Sequence, residues 1–220
     1  MTTRKFYIAF AILVSLVILT LVAFTLVIAL PMLQKMLGVE ISKPKITFEK
    51  PLVNPLNPVL GPNDAKLKIV EFSDFLCPIC KQTSPEIKRL AKNYPDDVQI
   101  IWKNFPNTQL HPTASIVAIA AQCANEQDKF WEYHDLVFKN QSSLADDSVG
   151  PMLLGLADVV GVIKTDFIKC LSSPETLAQI TKDFEEGRAL SIDGTPYLFI
   201  NDVIKISGSM LYEELQEYLQ

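Results

Sequence analysis

Residues 67–80 read LKIVEFSDFLCPIC, an apolar run that ends just before two cysteines with two residues between them. The run is rich in Ile, Val and Phe, which favour β-strands. A helical segment is predicted from Cys77 to about Tyr94, and the sequence VQIIWKNF at 98–105 predicts a second strand. This order is a β-α-β unit, which indicates a parallel strand pair in an α/β fold.

The Cys77-Pro78-Ile79-Cys80 motif places two thiols within one turn of a helix start. Cys77 is expected at or near the N-cap, where unpaired backbone N–H groups and the helix dipole stabilise a thiolate. Pro78 fits the first helical position because it needs no hydrogen-bond donor there. Cys80 is then the more buried partner that resolves or releases a mixed disulfide.

Two other uses of this cysteine pair are disfavoured. A zinc site needs further Cys or His ligands, and neither Cys123 nor Cys170 has a cysteine or histidine close by in sequence. An inert disulfide is disfavoured because C-x-x-C after a strand and at a helix start is typical of redox motifs. His111 and His134 are interpreted as surface or helix-packing residues, so no metal site is predicted. No Gly-rich phosphate loop is present, and no cofactor is implied.

The rest of the globular region extends the pattern to the C-terminus. From Thr113 to about Leu190 the sequence predicts four or five helices. The runs at 195–201 and 203–207 predict two strands around an Asn-Asp turn, and 210–219 predicts a last amphipathic helix. The predicted architecture is therefore β-α-β, a helical insertion, then β-β-α.

Upstream of the globular region lies a long apolar segment. Residues 6–30 read FYIAFAILVSLVILTLVAFTLVIAL, with no charged residue. At about 1.5 Å per residue, a helix of this length can cross a hydrocarbon core of about 30 Å. A cleavable signal peptide is the alternative, but its apolar region is usually shorter and is followed by small residues. We therefore predict one transmembrane anchor.

Charge on either side of the anchor predicts its orientation. Arg4 and Lys5 precede it without a nearby acid, so the positive-inside rule leaves residues 1–5 in the cytoplasm. Residues 31–64 contain repeated prolines and no apolar periodicity, which indicates an extended linker. The globular domain is predicted at 65–220, on the periplasmic or extracellular face of the cytoplasmic membrane.

The composition excludes some classes of protein. Of the 220 residues 49% are hydrophobic, too many for a disordered chain. The 25 acidic and 20 basic residues give a net charge of -5, which disfavours a nucleic-acid partner because phosphates require a basic surface.

The chain resembles the DsbA family of thioredoxin-fold proteins in three separated segments. These segments are LGPNDA at 60–65 with IVEFSDFLCPIC at 69–80, KFWEYHD at 129–135, and GTPYLFIN at 194–201. The resemblance covers essentially residues 60–220. It implies a thioredoxin-like fold with a helical insertion at about 107–190, and the activity of a thiol-disulfide oxidoreductase.

The resemblance also implies roles for individual residues. Pro196 matches the cis-proline that faces the cysteine pair in thioredoxin folds, and Thr195 precedes it. Glu71 matches a buried acid beneath the cysteines, which would exchange a proton with Cys80. Its alternative is an outward carboxylate on the strand.

Two further expectations concern substrate contact and the remaining cysteines. The predicted substrate contacts are Thr195, Pro78 and Ile79. Cys123 and Cys170 are predicted to pair, because spare cysteines of exported domains usually do. Two free thiols or a second redox relay remain open from the residues alone, and the resemblance favours the structural bridge.

The leading hypothesis is a membrane-anchored oxidase that forms disulfides in cysteine-containing exported polypeptides. A membrane redox partner would reoxidise the Cys77–Cys80 pair. A reductase, an isomerase or an electron relay is the alternative, since DsbA-type oxidases commonly carry a histidine where Ile79 stands. From a different class, a non-catalytic thioredoxin-fold module could bind peptides with its cysteines locked.

Overall fold

The computed structural model describes residues 13–22, 24, 25, 29, 50–146 and 148–219. A five-stranded sheet forms the centre of the globular part. Its strands are β1 (Val59–Leu60), β2 (Leu67–Ser73), β3 (Val98–Asn104), β4 (Tyr197–Ile200) and β5 (Ile204–Ser207). The strand order across the sheet is β1-β3-β2-β4-β5.

Seven α-helices surround this sheet within the globular residues that the structure describes. They are α1 (Pro78–Asn93), α2 (Ala114–Asn125), α3 (Phe130–Lys139), α4 (Val149–Val160), α5 (Lys164–Leu171), α6 (Pro174–Ala189) and α7 (Tyr212–Gln216). Short 3-10 turns follow α3 and α7. Helices α2 to α6 lie between β3 and β4 in the sequence, so they form the insertion that the sequence predicts.

The central strand β2 determines the sheet topology. It pairs in parallel with β3, with Glu71 opposite Trp102, and antiparallel with β4, with Phe72 opposite Tyr197. β1 and β5 are added antiparallel at the two edges. The β-α-β unit and the β-β-α ending predicted from sequence are both present, in a thioredoxin-like α/β fold.

Both faces of β2 are buried, because helices cover the sheet on each side. On one face Leu67 and Ile69 pack in a core that includes Leu90 of α1 and Leu215 of α7. On the other face Phe72 packs with residues such as Phe105, Phe199 and Leu190. This double burial explains why β2 reads as a nearly continuous apolar run.

The inserted helices share a third core with the cysteine motif. Phe75, Cys77 and Cys80 belong to the same buried cluster as Tyr133 of α3 and Phe167 of α5. The Phe75 ring stacks on Trp102 of β3 at a centroid distance of 4.6 Å. The insertion therefore supports the segment that carries the cysteines.

Local signals end or begin several helices. Ser173 caps α6 by accepting hydrogen bonds from the Glu175 and Thr176 N–H groups, and Gly161 ends α4 in the left-handed conformation. Asn201 and Asp202 both have positive φ in the β4–β5 turn, which these residue types tolerate. The predicted Asn-Asp turn is present.

Residues 50–64 belong to the folded unit, although the sequence placed them in the linker. β1 lies within this segment and pairs with β3. The Leu52 N–H group donates to Glu186, and the Asn57 side chain donates to Asp183. The structure thus differs from the predicted boundary at residue 65, because backbone pairing and buried carboxylates hold the proline-containing chain on the domain.

The same two carboxylates surround a buried lysine. Lys103 Nζ lies 3.0 Å from Asp183 and 3.1 Å from Glu186, with no exposed side-chain surface on the lysine. The Asn104 N–H and side-chain amide also donate to Asp183. This network joins β3 to α6, since a charge that is buried without partners is very costly.

The chain divides into two compact units, Met1–Lys45 and Ile46–Gln220. In the first unit the described residues 13–22 are helical. Within the described residues, no helix has the combination of length and hydropathy needed to span a bilayer. The predicted anchor at 6–30 lies partly, and residues 1–5 and 31–49 lie wholly, outside the described residues.

Candidate active site

Cys77 is the N-cap residue of α1. Its backbone is extended, with φ -73° and ψ 122°, and Pro78 occupies the first helical turn. The Cys77 N–H donates to the Asp74 carbonyl at 3.0 Å, which closes the turn between β2 and the helix. Both motif cysteines are free thiols; Cys77 retains 8% of its surface exposed and Cys80 none. Only Cys77 is therefore open to a substrate.

The loop before β4 lies against Cys77. The Cys77 thiol donates to the Thr195 carbonyl at 3.4 Å. The next peptide bond, Thr195–Pro196, is cis. Pro78 and Ile79 are both exposed beside this contact. The structure thus brings the motif together with Thr195 and Pro196 at one surface.

The environment strongly favours the thiolate form of Cys77. Its pKa is lowered to about 5, chiefly by a hydrogen bond from the Cys80 thiol. Partial burial opposes this shift, while the Thr195 side chain and the backbone N–H groups of Cys80 and Ile79 add to it. These backbone donors are the unpaired groups of the α1 N-terminus. The arrangement therefore keeps Cys77 predominantly in the thiolate form at neutral pH.

Cys80 behaves in the opposite way. Its burial, followed by the hydrogen bond and charge of Cys77, raises the pKa of the Cys80 thiol well above its ordinary value. The two groups interact strongly, so one proton is shared by a pair in which Cys77 carries the negative charge. The two sulfurs therefore differ in protonation: Cys77 is a thiolate, and the buried Cys80 thiol keeps its proton.

Glu71 lies on β2 beneath the motif and is only 2% exposed. Desolvation raises the pKa of its carboxyl to about 7, and its Oε1 atom has no hydrogen-bond partner. Glu71 also contributes to the raised pKa of Cys80 through its charge. A carboxyl that titrates near neutral pH beside a buried thiol has the properties of a proton donor and acceptor.

Sequence reasoning missed three residues that build the site. Gln141 donates from Nε2 to the carbonyls of Phe75 and Cys77, both at 2.9 Å, and so ties the insertion to the motif loop. Asp74 accepts hydrogen bonds from the motif loop and from His111. Gln141 has no sequence signature, whereas an Asp between a strand and a helix start is a recognisable turn signal.

The remaining predicted residues lie within the insertion. Cys123 of α2 and Cys170 of α5 are joined by a disulfide. His134 is buried on α3, where Ser84 and Asp135 contact its two ring nitrogens. Burial lowers the pKa of His134 and favours its neutral form. Among the described residues there is no group of three or more His, Cys, Asp or Glu side chains suited to a metal ion.

Comparison with known proteins agrees with this geometry. A family model described as thioredoxin matches residues 54–220. Disulfide bond formation protein D of Bacillus subtilis is 32% identical over 169 residues, which cover 74% of this chain and 75% of that protein. Na(+)/H(+) antiporter NhaA 1 of Salinispora arenicola is 32% identical over 154 residues, but the chain spans only 23% of that antiporter's length.

Solved structures show the same fold. The oxidised crystal structure of BdbD from Bacillus subtilis is 26% identical with a TM-score of 0.67, covering 77% of this chain and 94% of that one. The thiol-disulfide exchange protein alpha-DsbA2 of Wolbachia pipientis has a TM-score of 0.66 at 20% identity, covering 76% and 87%. The chain belongs to the thioredoxin family and, within it, to the DsbA-type thiol-disulfide oxidoreductases with a helical insertion.

Proposed function

We propose that this protein is an oxidase that introduces disulfides into exported polypeptides. The observation that carries the proposal is the position of Cys77 at the N-terminus of α1, where the Cys80 thiol and backbone N–H groups lower its pKa to about 5. A thiolate that is strongly stabilised at neutral pH favours the reduced form of the pair, so the disulfide form readily gives up its bond. The low pKa of Cys77 supports an oxidase even though Ile79 replaces the histidine common in DsbA-type oxidases.

The reaction uses the two sulfurs in sequence. A substrate thiolate attacks the Cys77 sulfur of the disulfide, the Cys77–Cys80 bond breaks, and a mixed disulfide forms on Cys77. Cys80 leaves as a thiolate and takes a proton, which Glu71 would supply. The second substrate thiolate then attacks the substrate sulfur of the mixed disulfide and releases the Cys77 thiolate. The substrate loses two electrons and the cysteine pair gains them.

Substrate binding is proposed at the surface formed by Thr195, Pro78 and Ile79. The Thr195 carbonyl lies 3.4 Å from the Cys77 sulfur, so a chain segment alongside it would be next to the reacting atom. The exposed Ile79 side chain would contact apolar side chains of that segment.

We also propose that residues 6–30 anchor the protein in the cytoplasmic membrane, with the catalytic domain outside the cytoplasm. The charge-free apolar sequence and the basic residues before it support this orientation. The Cys123–Cys170 disulfide is consistent with an oxidising compartment. A membrane redox partner would reoxidise the cysteine pair, and anchoring would raise the effective concentration for that encounter.

The direct test is oxidation of a reduced two-cysteine peptide by the oxidised protein. We expect stoichiometric peptide oxidation by the wild type and none by Cys77→Ser or Cys80→Ser, each measured by mass spectrometry after acid quenching. Cys80→Ser, which retains Cys77, should trap a mixed disulfide when supplied with oxidised peptide. Full activity in the two single variants would refute the proposal, and a protein that only binds the peptide would be a non-catalytic module.

A further inference from the structure

A buried carboxylate outside the cysteine pair connects the active-site loop to a neighbouring loop. The Asp74 side chain has no exposed surface and accepts three hydrogen bonds. Its Oδ1 accepts from the Leu76 N–H at 2.8 Å, and its Oδ2 accepts from the Asn107 N–H at 3.0 Å. The third donor is Nδ1 of His111, at 2.7 Å from Oδ2.

One side of this network is the active-site loop. Leu76 directly precedes Cys77, and the Cys77 N–H itself donates to the Asp74 carbonyl at 3.0 Å. Asp74 therefore fixes the backbone immediately before the nucleophile with both its carbonyl and its Oδ1 atom.

The other side is the loop between β3 and α2. Asn107 and His111 begin and end a tight turn in which the His111 N–H donates to the Asn107 carbonyl at 2.8 Å. The Asn107 side chain also accepts from the N–H groups of Gln109 and Leu110. Because this turn is ordered internally, the two contacts with Asp74 position it as one piece.

This turn forms one wall of a groove beside the active site. The groove has a volume of about 380 Å³, with residues 105–109 on one side and Phe184, Arg188 and 191–195 on the other. Thr195, which contacts the Cys77 thiol, belongs to the second wall. The position of the 105–109 wall relative to Cys77 thus depends on Asp74.

We propose that Asp74 and His111 form a positioning pair that holds this groove wall against the active-site loop and so sets the affinity for the substrate segment beside Cys77. Neither residue touches the reacting sulfurs. The pair acts on peptide binding rather than on thiol exchange itself. This inference rests on the proposed function, because it assumes that peptide substrates are oxidised at Cys77.

The positioning pair requires a side chain with two acceptor oxygens at position 74. Both Asp74 oxygens act as acceptors, and together they take hydrogen bonds from both loops. The Asp74→Asn side chain has only one acceptor oxygen, and its amide nitrogen would face a donor in one of the two loops. The Asp74→Asn side chain therefore loses its hydrogen bonds to one of the two loops. In His111→Leu the wall loses its side-chain contact, whereas the amide of His111→Asn can still donate from nearly the position of Nδ1.

The test compares peptide and glutathione as reductants of the previously oxidised full-length protein in single-turnover reactions, so that each molecule of protein accepts two electrons once. KM is here the peptide concentration that gives half the maximal rate constant, and kcat is that maximal rate constant. We expect Asp74→Asn and His111→Leu to raise KM for a reduced two-cysteine peptide about tenfold, the effect of losing one charge-assisted hydrogen bond. The kcat of His111→Leu and its rate with glutathione, which needs no groove, should stay within about twofold of wild type. Asp74→Asn also alters the loop before Cys77 and is therefore compared for KM alone. His111→Asn should restore most of the KM.

A matched control is the exposed ion pair between Lys66 and Asp97, 2.8 Å apart. Asp97→Asn makes the same chemical change at a distant surface and should leave the KM, the kcat and the rate with glutathione unchanged. If Asp74→Asn fails to fold, the comparison of His111→Leu with His111→Asn carries the test alone.

Three results would overturn the inference. KM could be unchanged in His111→Leu, the glutathione rate could fall by the same factor as the peptide rate, or His111→Asn could fail to restore KM. An active wild type with any of these results refutes only the positioning pair. A wild type that oxidises neither peptide nor glutathione refutes the proposed function, and the inference with it.

Discussion

At the scale of single residues, Cys77 and Cys80 differ because one lies at a helix N-terminus and the other is buried a turn later. Backbone N–H groups and the Cys80 thiol all donate to Cys77, while Cys80 itself is desolvated beside that charge. Two chemically identical side chains thereby become a nucleophile and a protonated partner. The separation follows from the position of each cysteine at the helix N-terminus and from the burial of Cys80.

The first prediction concerns the titration of Cys77. Alkylation of the reduced protein by iodoacetamide should rise with pH through a midpoint near 5 and level off above about pH 6.5, because the thiolate is the reacting form. Cys80→Ala should move the midpoint upward, since it removes the largest stabilising hydrogen bond. A wild-type midpoint near 8.5, the value of an ordinary cysteine, would contradict this account.

The second prediction concerns Glu71 and stability. Burial raises the pKa of its carboxyl from 4.5 to about 7. Between these values the unfolded chain releases the proton and the folded chain keeps it, so stability falls as pH rises through this window. Glu71→Gln should remove that loss and be more stable than wild type above pH 7, by at most about 3 kcal/mol.

Urea unfolding of the oxidised proteins at pH 4.5 and pH 8 measures this difference. Glu185→Gln, which changes an exposed carboxylate of α6, provides the control and should unfold like wild type at both pH values. If the wild type instead gains stability relative to Glu71→Gln between pH 4.5 and pH 8, burial does not raise the pKa of the Glu71 carboxyl, and the prediction is wrong.

At the scale of elements, the inserted helices support the active site rather than merely extending the fold. Gln141 reaches from the turn after α3 to two carbonyls of the motif loop. Gln141→Ala should lower the free energy of unfolding by about 1 to 3 kcal/mol, because the carbonyls lose buried donors. Thermal and urea unfolding would measure the loss.

Gln127 offers a matched comparison, since its side chain also makes two hydrogen bonds to backbone, both to Ile163, but at an exposed site. Gln127→Ala should cost less than Gln141→Ala because water can replace the lost bonds. Equal losses in the two variants would mean that Gln141 has no special role in the motif loop.

A further prediction concerns the disulfide between α2 and α5. Cys123 and Cys170 are 47 residues apart, and loop-closure entropy gives the bridge at most about 4 kcal/mol. The double variant Cys123→Ala, Cys170→Ala should therefore be less stable while its Cys77 alkylation midpoint stays near pH 5. A shifted midpoint would show that the bridge also influences the redox pair.

The sequence predicts the helices and strands better than it predicts the contacts between distant residues. β2, α1 and β3 were placed within a residue or two because their apolar runs and the Pro78 start signal are local. β1 was missed because two residues in a proline-containing segment form a strand only by pairing with β3. The roles of Gln141 and His111 were not predictable, since their partners are distant in sequence and meet only when the insertion packs.

At the scale of the whole molecule, the globular unit combines a thioredoxin-like sheet with an inserted helical core. Glu71 lies on β2, and Thr195 lies just before β4. The insertion supplies Gln141 and the groove wall that contains Phe184 and Arg188. The motif lies where these two parts meet. This placement supports the proposal that the groove wall held by Asp74 and His111 binds the substrate segment beside Cys77.

The reduction potential of the Cys77–Cys80 pair shows whether this protein donates disulfides. It would be measured on the full-length chain equilibrated with defined ratios of reduced and oxidised glutathione. Because the Cys77 thiolate is strongly stabilised, we expect a potential towards about -120 mV, as in strong disulfide donors. A potential near about -270 mV would instead identify a reductase or an electron relay and contradict the account.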